Sequence, residues 1–314
     1  MNSQSWLRFL DEAGGVLLAD GAMGTMLFDA GLESGEAPER WNLEQPDRVR
    51  SVHAAYLSAG SQLLLTNTFG ANRFRLALHG LENRVAELNR AGAEILHAAV
   101  AAVAAAGRPA LVAGDIGPSG SLLTPLGDLE FADAVSGFAE QAGALTAAGV
   151  DLIWIETMSD LEEMRAALEG VRQVAPEMAV VTTMSFDTHG RTMMGVKPED
   201  AVQALHSWGA TAVGGNCGNG PEEVLQVVAK MRAISPETVL VAKGNAGMPE
   251  LVHGRACYDA TPESMAGYLR RAVEAGAAVV GACCGSTPEH LQAMAAALSE
   301  IRHPRVLTPA EGPA

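Results

Sequence analysis

Residues 209–222 read Gly-Ala-Thr-Ala-Val-Gly-Gly-Asn-Cys-Gly-Asn-Gly-Pro-Glu. A short glycine link opens an apolar run, 211–217, that has the length and bounds of a strand. Polarity returns at Asn216 and Cys217, and Pro221-Glu222 marks the next helix, with proline at the first helical position and an acid in its first turn. Outward from this stretch the pattern repeats. Runs at 16–20, 62–68, 110–115, 151–156, 179–185, 211–217, 238–243 and 277–283 read as strands, and Ala-, Leu- and Glu-rich helical stretches such as 85–106 and 131–148 separate them. Nearly continuous apolar character suits parallel strands covered on both faces.

Eight strand–helix units predict either a closed barrel or a doubly wound sheet. Links from helix to strand are short at 107–109, 149–150 and 209–210. Links from strand to helix are long at 22–47, 116–130, 186–197 and 244–261. Long loops gathered beyond the strand C-termini favour a single α/β barrel of the (β/α)8 type, with its functional end there. Further Pro-Glu helix starts occur at 198–199, 262–263 and 288–289, with Thr261 and Thr287 as N-caps and Ser159-x-x-Glu162 as a capping box. No linker or repeat divides the chain, so residues 1–314 read as one domain with a core of about 16–300.

The formal net charge of −16 disfavours nucleic acid and anionic membranes as partners and leaves small-molecule substrates, with an oligomer possible. The longest apolar run, 98–106, is about half of a membrane span. Residues 1–8 show no basic region followed by an apolar stretch, so the expected location is cytoplasmic. In a reducing compartment, clustered cysteines bind metal or catalyse more often than they pair.

Three of the four cysteines fall at strand ends. Cys217 closes the sixth run and the adjacent Cys283 and Cys284 close the eighth. A disulfide between neighbours is strained. Three thiolates converging on one barrel rim match a zinc site with an open fourth position, and Gly218 and Gly285 let the backbone bend around it. The competing reading, apolar buried cysteines, accounts poorly for three of them at one end. Cys257 stands alone as an ordinary free thiol. Zinc held by three thiolates has a net negative charge, which suits a soft incoming ligand over carbonyl chemistry. A free thiol of pKa ~8.5 is only slightly ionised at neutral pH, and coordination deprotonates it. Thiol alkylation is the chemistry this pattern points to.

At this point the chain resembles the homocysteine S-methyltransferases, through Asp20-Gly-Ala-Met-Gly-Thr25, Thr66-Asn-Thr-Phe-Gly-Ala-Asn72, Gly114-Asp-Ile-Gly-Pro118, Gly215-Asn-Cys-Gly218 and Gly281-Ala-Cys-Cys-Gly-Ser-Thr-Pro-Glu-His290. The resemblance implies Cys217, Cys283 and Cys284 as zinc ligands, acting in catalysis through the metal. It implies Asp20, Gly21 and Glu156 around the amino-acid end of homocysteine, with Asn216 supporting that pocket. Leu32-Glu-Ser-Gly-Glu-Ala-Pro-Glu-Arg-Trp-Asn42, Thr183-Met-Ser-Phe-Asp187 and Ala242-Lys-Gly-Asn-Ala-Gly247 look most like the free-standing bacterial betaine–homocysteine enzymes.

The reaction so implied moves a methyl group from glycine betaine to homocysteine, giving methionine and dimethylglycine. Aromatic faces attract a quaternary ammonium, which makes Trp41, Phe69, Trp154 and Phe186 the candidate donor-binding residues, with Lys243 or Arg73 for the donor carboxylate. Gly70 and Thr157 stand where the animal betaine enzymes carry aromatic donor-pocket residues, and their long C-terminal dimerisation arm is missing. Alternatives are a sulfonium donor such as S-methylmethionine or dimethylsulfoniopropionate, a non-catalytic module serving a methyl-carrier protein, and a structural zinc closed by a fourth protein ligand.

Overall fold

The computed structural model describes residues 1–105, 107–252 and 255–301. Its strands in chain order are β1 (Leu17–Leu18), β2 (Leu63–Leu65), β3 (Leu111–Ile116), β4 (Leu152–Met158), β5 (Val180–Met184), β6 (Ala212–Cys217), β7 (Leu240–Gly244), β8 (Glu250–Val252), β9 (Arg255–Cys257) and β10 (Ala277–Ala282). Eight of them form one parallel sheet in the order β1-β10-β7-β6-β5-β4-β3-β2. A parallel bridge between Ala19 and Leu63 joins the two ends, and the Gln62 N–H donates to Leu18 O at 2.8 Å. The (β/α)8 barrel expected from the sequence is therefore the fold.

Alternation along each strand divides the core into two layers. Leu17, Leu63, Leu111, Leu152, Val181, Ala212, Val241 and Val279 pack inside the barrel. Their neighbours Leu18, Leu64, Val112, Ile153, Val180, Val213, Leu240 and Val280 pack outward against the helices. Both sets are apolar because both faces are covered. The helix Ser3–Glu12, which no sequence signal announced, places Trp6 and Leu10 in the interior layer, each fully buried. Trp6→Ala is expected to cost about 3–5 kcal/mol, read as a lower urea midpoint with an unchanged slope. A cost below about 1 kcal/mol would mean that this helix is not part of the cooperative core.

The helices starting at Pro198, Pro221, Pro262 and Pro288 begin where the Pro-Glu pairs place them. Thr261 caps its helix by accepting from the Ser264 N–H, and Thr287 forms a capping box with His290. The box at Ser159 does not form. Asp160 is the N-cap of Leu161–Val174, its carboxylate accepting from the Glu162 N–H at 2.9 Å. The carboxylate one position later reaches the free amides itself, so the helix starts one residue further on. The 244–261 link, read only as a loop, contains the antiparallel β8–β9 hairpin, whose three-residue strands are too short to show a period. The 22–47 link carries the helices Gly24–Asp29 and Trp41–Glu44 with a 3₁₀ turn at Pro38–Arg40. It brings the Glu39 carboxylate to the Gly70 N–H, 2.6 Å away.

Candidate active site

The inward register continues past the apolar layers into a polar one. Two residues beyond Ala113 comes Asp115, beyond Trp154 comes Glu156, and beyond Val241 comes Lys243. These side chains meet in a cavity of about 390 Å³ at the strand C-termini, lined among others by Asp20, Glu39, Phe69, Arg75, Thr157 and the three clustered cysteines. A larger groove, about 680 Å³ around Gly14, Arg232 and Thr238, lies at the opposite end of the strands and holds none of these groups. Chemistry rather than volume selects the smaller one.

Cys217 Sγ lies 2.9 Å from Cys283 Sγ and 3.9 Å from Cys284 Sγ. All three sulfurs fall within 4.8 Å of one another, and no fourth His, Cys, Asp or Glu joins the group among the described residues. Tetrahedral zinc with arms of ~2.3 Å has edges of about 3.8 Å, so the cluster fits the metal after a small opening of its shortest edge. Cys284 is held down at about 3 by hydrogen bonds from Cys217 and then Cys283. Cys283 has a bond from Cys217 that favours its thiolate, but its contact with Cys284 and its burial push it up to about 12. Cys217 is pushed well above the ordinary thiol value, first by its contacts with Cys283 and then Cys284, and three sulfur donors so close together suit a soft divalent cation. Tyr258, absent from the sequence-derived set, hydrogen-bonds Cys284. Cys257 is exposed and stands apart from the cluster.

Backbone strain surrounds this corner. Thr157 and Cys217 have φ of 62° and 58°, in the left-handed region where a β-branched residue is rare. Asn216 braces the strain by accepting from the Thr157 N–H at 2.9 Å and donating to its Oγ1 at 2.7 Å. Gly21 is needed for close approach, since a Cβ there would sit 2.5 Å from Ser286 Oγ. The next amide, Ala22, already donates to that same Ser286 Oγ at 2.9 Å.

Lys243, only 3% exposed, bridges two acids: its Nζ is 3.1 Å from Asp20 Oδ1 and 3.6 Å from Glu156 Oε2. Asp20 Oδ2 also accepts the Leu65 N–H at 2.8 Å. Burial raises the pKa of Asp20, Asp115 and Glu156, the last to about 7, because one ammonium cannot offset three buried acids. Burial opposes the charge on Lys243 as well, but the surrounding acids outweigh it and raise its pKa well above the ordinary value. A folded-state pKa of about 7 means that folded Glu156 keeps a proton that the unfolded chain releases from about 4.5 upward. Its contribution to stability is thus full below that window and declines as pH rises to about 7. Glu156→Gln removes this decline. In the metal-free protein, wild type should lose up to about 3 kcal/mol relative to the variant between pH 4.5 and 7.5. Parallel stability–pH curves for the two proteins would contradict the shift.

Of the four aromatic candidates, Phe69 alone lines the cavity. Trp41 packs in the helix layer with the Arg48 guanidinium 5.0 Å from its ring centroid. Phe186 is 2% exposed in that same layer. Trp154 lies in the barrel interior with the Lys243 Nζ 5.7 Å from its ring centroid. Arg73 is held by Glu140 at 2.6 Å, whereas Lys243 does line the cavity. Asp115 was visible in the sequence only as a polar strand end, and Glu39 only as part of a motif. Their common location depends on the barrel closing.

Fold and site together define an α/β-barrel protein with a three-thiol centre at the wall of a charged cavity. A family model described as homocysteine S-methyltransferase matches residues 17–298, and the chain belongs to that family of enzymes. The methionine synthases of Mycobacterium tuberculosis and Mycobacterium leprae are each 31% identical to it, over 303 and 300 residues. These matches cover 92% and 90% of this chain but 25% and 24% of the relatives, so the chain spans about a quarter of their length. Among solved structures, the homocysteine methyltransferase MmuM from Escherichia coli is 26% identical. Its oxidized form superposes with a TM-score of 0.79 over 92% of this chain and 98% of its own. Its metallated form gives 0.78 over 92% and 99%. No described helix is long and apolar enough to cross a membrane.

Proposed function

We propose that this barrel, acting as a single cytoplasmic domain, methylates homocysteine to methionine with a small cationic donor, glycine betaine, and releases dimethylglycine. The observation that carries this reading is the meeting of Cys217, Cys283 and Cys284 within 4.8 Å at the wall of a cavity that also holds fixed charges. These three residues would hold zinc, which supplies a lowered thiol pKa and a fixed position for the substrate sulfur. Asp20 and Glu156 receive the homocysteine ammonium, and Lys243 holds the two acids in a fixed arrangement. Asn216 holds the strained Thr157 turn next to Glu156.

Methyl transfer is a single displacement. The homocysteine sulfur forms a bond to the methyl carbon, the carbon–nitrogen bond breaks, and nitrogen keeps the electron pair. The chain's part is to align the two reactants and exclude water.

Incubation of zinc-loaded protein with homocysteine and each donor separately tests the reading. Methionine and dimethylglycine should appear in equal amounts with glycine betaine. Methionine from S-methylmethionine or dimethylsulfoniopropionate alone would replace betaine as donor. Turnover that requires an added corrinoid protein would favour a module serving a methyl carrier.

A further inference from the structure

Besides the two acids assigned to homocysteine, two further buried carboxyl groups, Asp115 and Glu39, line the cavity. Asp115 is 5% exposed, lines the cavity, and has a buried Oδ1 with no hydrogen-bond partner among the described residues. The ion pairs of Lys243 run to Asp20 and Glu156, and no described cation lies within ion-pair distance of Asp115. Glu39 is 4% exposed and is brought into the same cavity by the 22–47 link, anchored through the Gly70 N–H; burial raises its pKa, and Arg75 and His79 are the cationic side chains that partly offset this. A buried carboxylate is costly until a cation meets it.

The barrel order shows which cation that is. Following the ring β1-β10-β7-β6-β5-β4-β3-β2, strand β3 stands diametrically opposite β7. The thiol cluster spans β6 and the end of β10, the two neighbours of β7. Asp115, on β3, therefore faces the cluster across the cavity. In a displacement the leaving atom lies on the far side of the methyl carbon from the attacking sulfur. That places the positively charged atom of the donor on the side of Asp115. One aromatic ring, Phe69, is no cage for it. Further out, Arg75 lines the same cavity and is exposed. Charge thus runs from buried acids inside to an exposed guanidinium at the mouth, the order that fits a zwitterion entering with its methylated end first.

We propose that Asp115 and Glu39 form the subsite for the onium head of the methyl donor, and that Arg75 receives the donor carboxylate. The proposal rests on the methyl-transfer reading above. Once the methyl group has left, nitrogen is uncharged and the attraction of the two acids is lost, which favours departure of the tertiary amine.

The test compares wild type with Asp115→Asn, Glu39→Gln and Arg75→Ala in zinc-loaded protein. Each is assayed for methionine formation over a range of glycine betaine, and for betaine and homocysteine binding by calorimetry. Asp115→Asn should raise the betaine KM and Kd about tenfold or more. Homocysteine affinity and zinc content should stay within about twofold of wild type, which also reports that the variant is folded. Arg75→Ala should weaken betaine but not choline, which has no carboxylate. If wild type turns over betaine and both Asp115→Asn and Glu39→Gln keep its KM, the subsite is wrong and the methyl-transfer reading stands. If homocysteine affinity falls as far as betaine affinity, Asp115 serves homocysteine and the proposal is overturned. If wild type neither binds nor uses any onium donor, both readings fall together.

Discussion

Replacing Cys217 by alanine is expected to strip the protein of zinc, from about one equivalent per chain to none after gel filtration, and to abolish methionine formation. The fold should persist, because Cys217 ends β6 above the apolar layers and belongs to none of the core clusters. The effect is large because this residue is the link between β6 and the Cys283-Cys284 pair, lying 2.9 and 3.9 Å from their sulfurs. Two adjacent thiols cannot close the same tetrahedral face. Loss of affinity should exceed the ~10–100-fold typical of an outer partner of a metal ligand. Chelator competition measures it, and far-UV circular dichroism checks the fold. Cys257→Ala is the control, since that thiol is exposed and outside the cluster. A Cys217→Ala protein that keeps stoichiometric zinc would remove the residue from the ligand set.

Lys243→Met should be the most destabilising change in the cavity. Methionine fills most of the aliphatic volume but leaves Asp20, Glu156 and Asp115 buried together with no ammonium among them. Breaking a buried ion pair from one side costs about 3–5 kcal/mol, to be read by urea unfolding of the metal-free protein at pH 8. The cost should shrink as pH falls. Without the lysine the carboxyl pKa values rise further, so the folded variant binds protons that the unfolded chain lacks, and its stability drops as pH increases. A variant as stable as wild type at pH 8 would mean that these acids are already neutral in the folded state. Weakened homocysteine binding should accompany the change, because the two acids no longer have a fixed arrangement.

Much of the site is legible in the sequence. Cys217, Cys283 and Cys284 were found from strand ends and glycine neighbours, and the structure brings them together. The inward alternation that carries Asp115, Glu156 and Lys243 into one layer was also present in the sequence, since each stands two positions beyond an apolar inward residue. The aromatic donor candidates behave differently. Trp41, Trp154 and Phe186 are apolar surfaces of the right type, but burial in the helix layer or barrel interior needs the same residue type as a cation cage. Composition cannot separate those two uses. The helix Ser3–Glu12 has no signal in the sequence because its packing surface, the open end of the barrel, does not exist in the linear chain.

The sequence by itself determined the repeating strand–helix unit, the helix starts and the end of the barrel that carries the thiols. Those properties depend on residues a few positions apart, where periodicity, proline and capping act directly. Tertiary structure alone decided that β3 faces β7, that Glu39 folds back to the Gly70 amide, and that Lys243 pairs with Asp20 and Glu156 while no cation among the described residues lies within ion-pair distance of Asp115. These are distances between segments far apart in the chain. They are set by closure of the ring and by which charges burial forces to share one counter-ion.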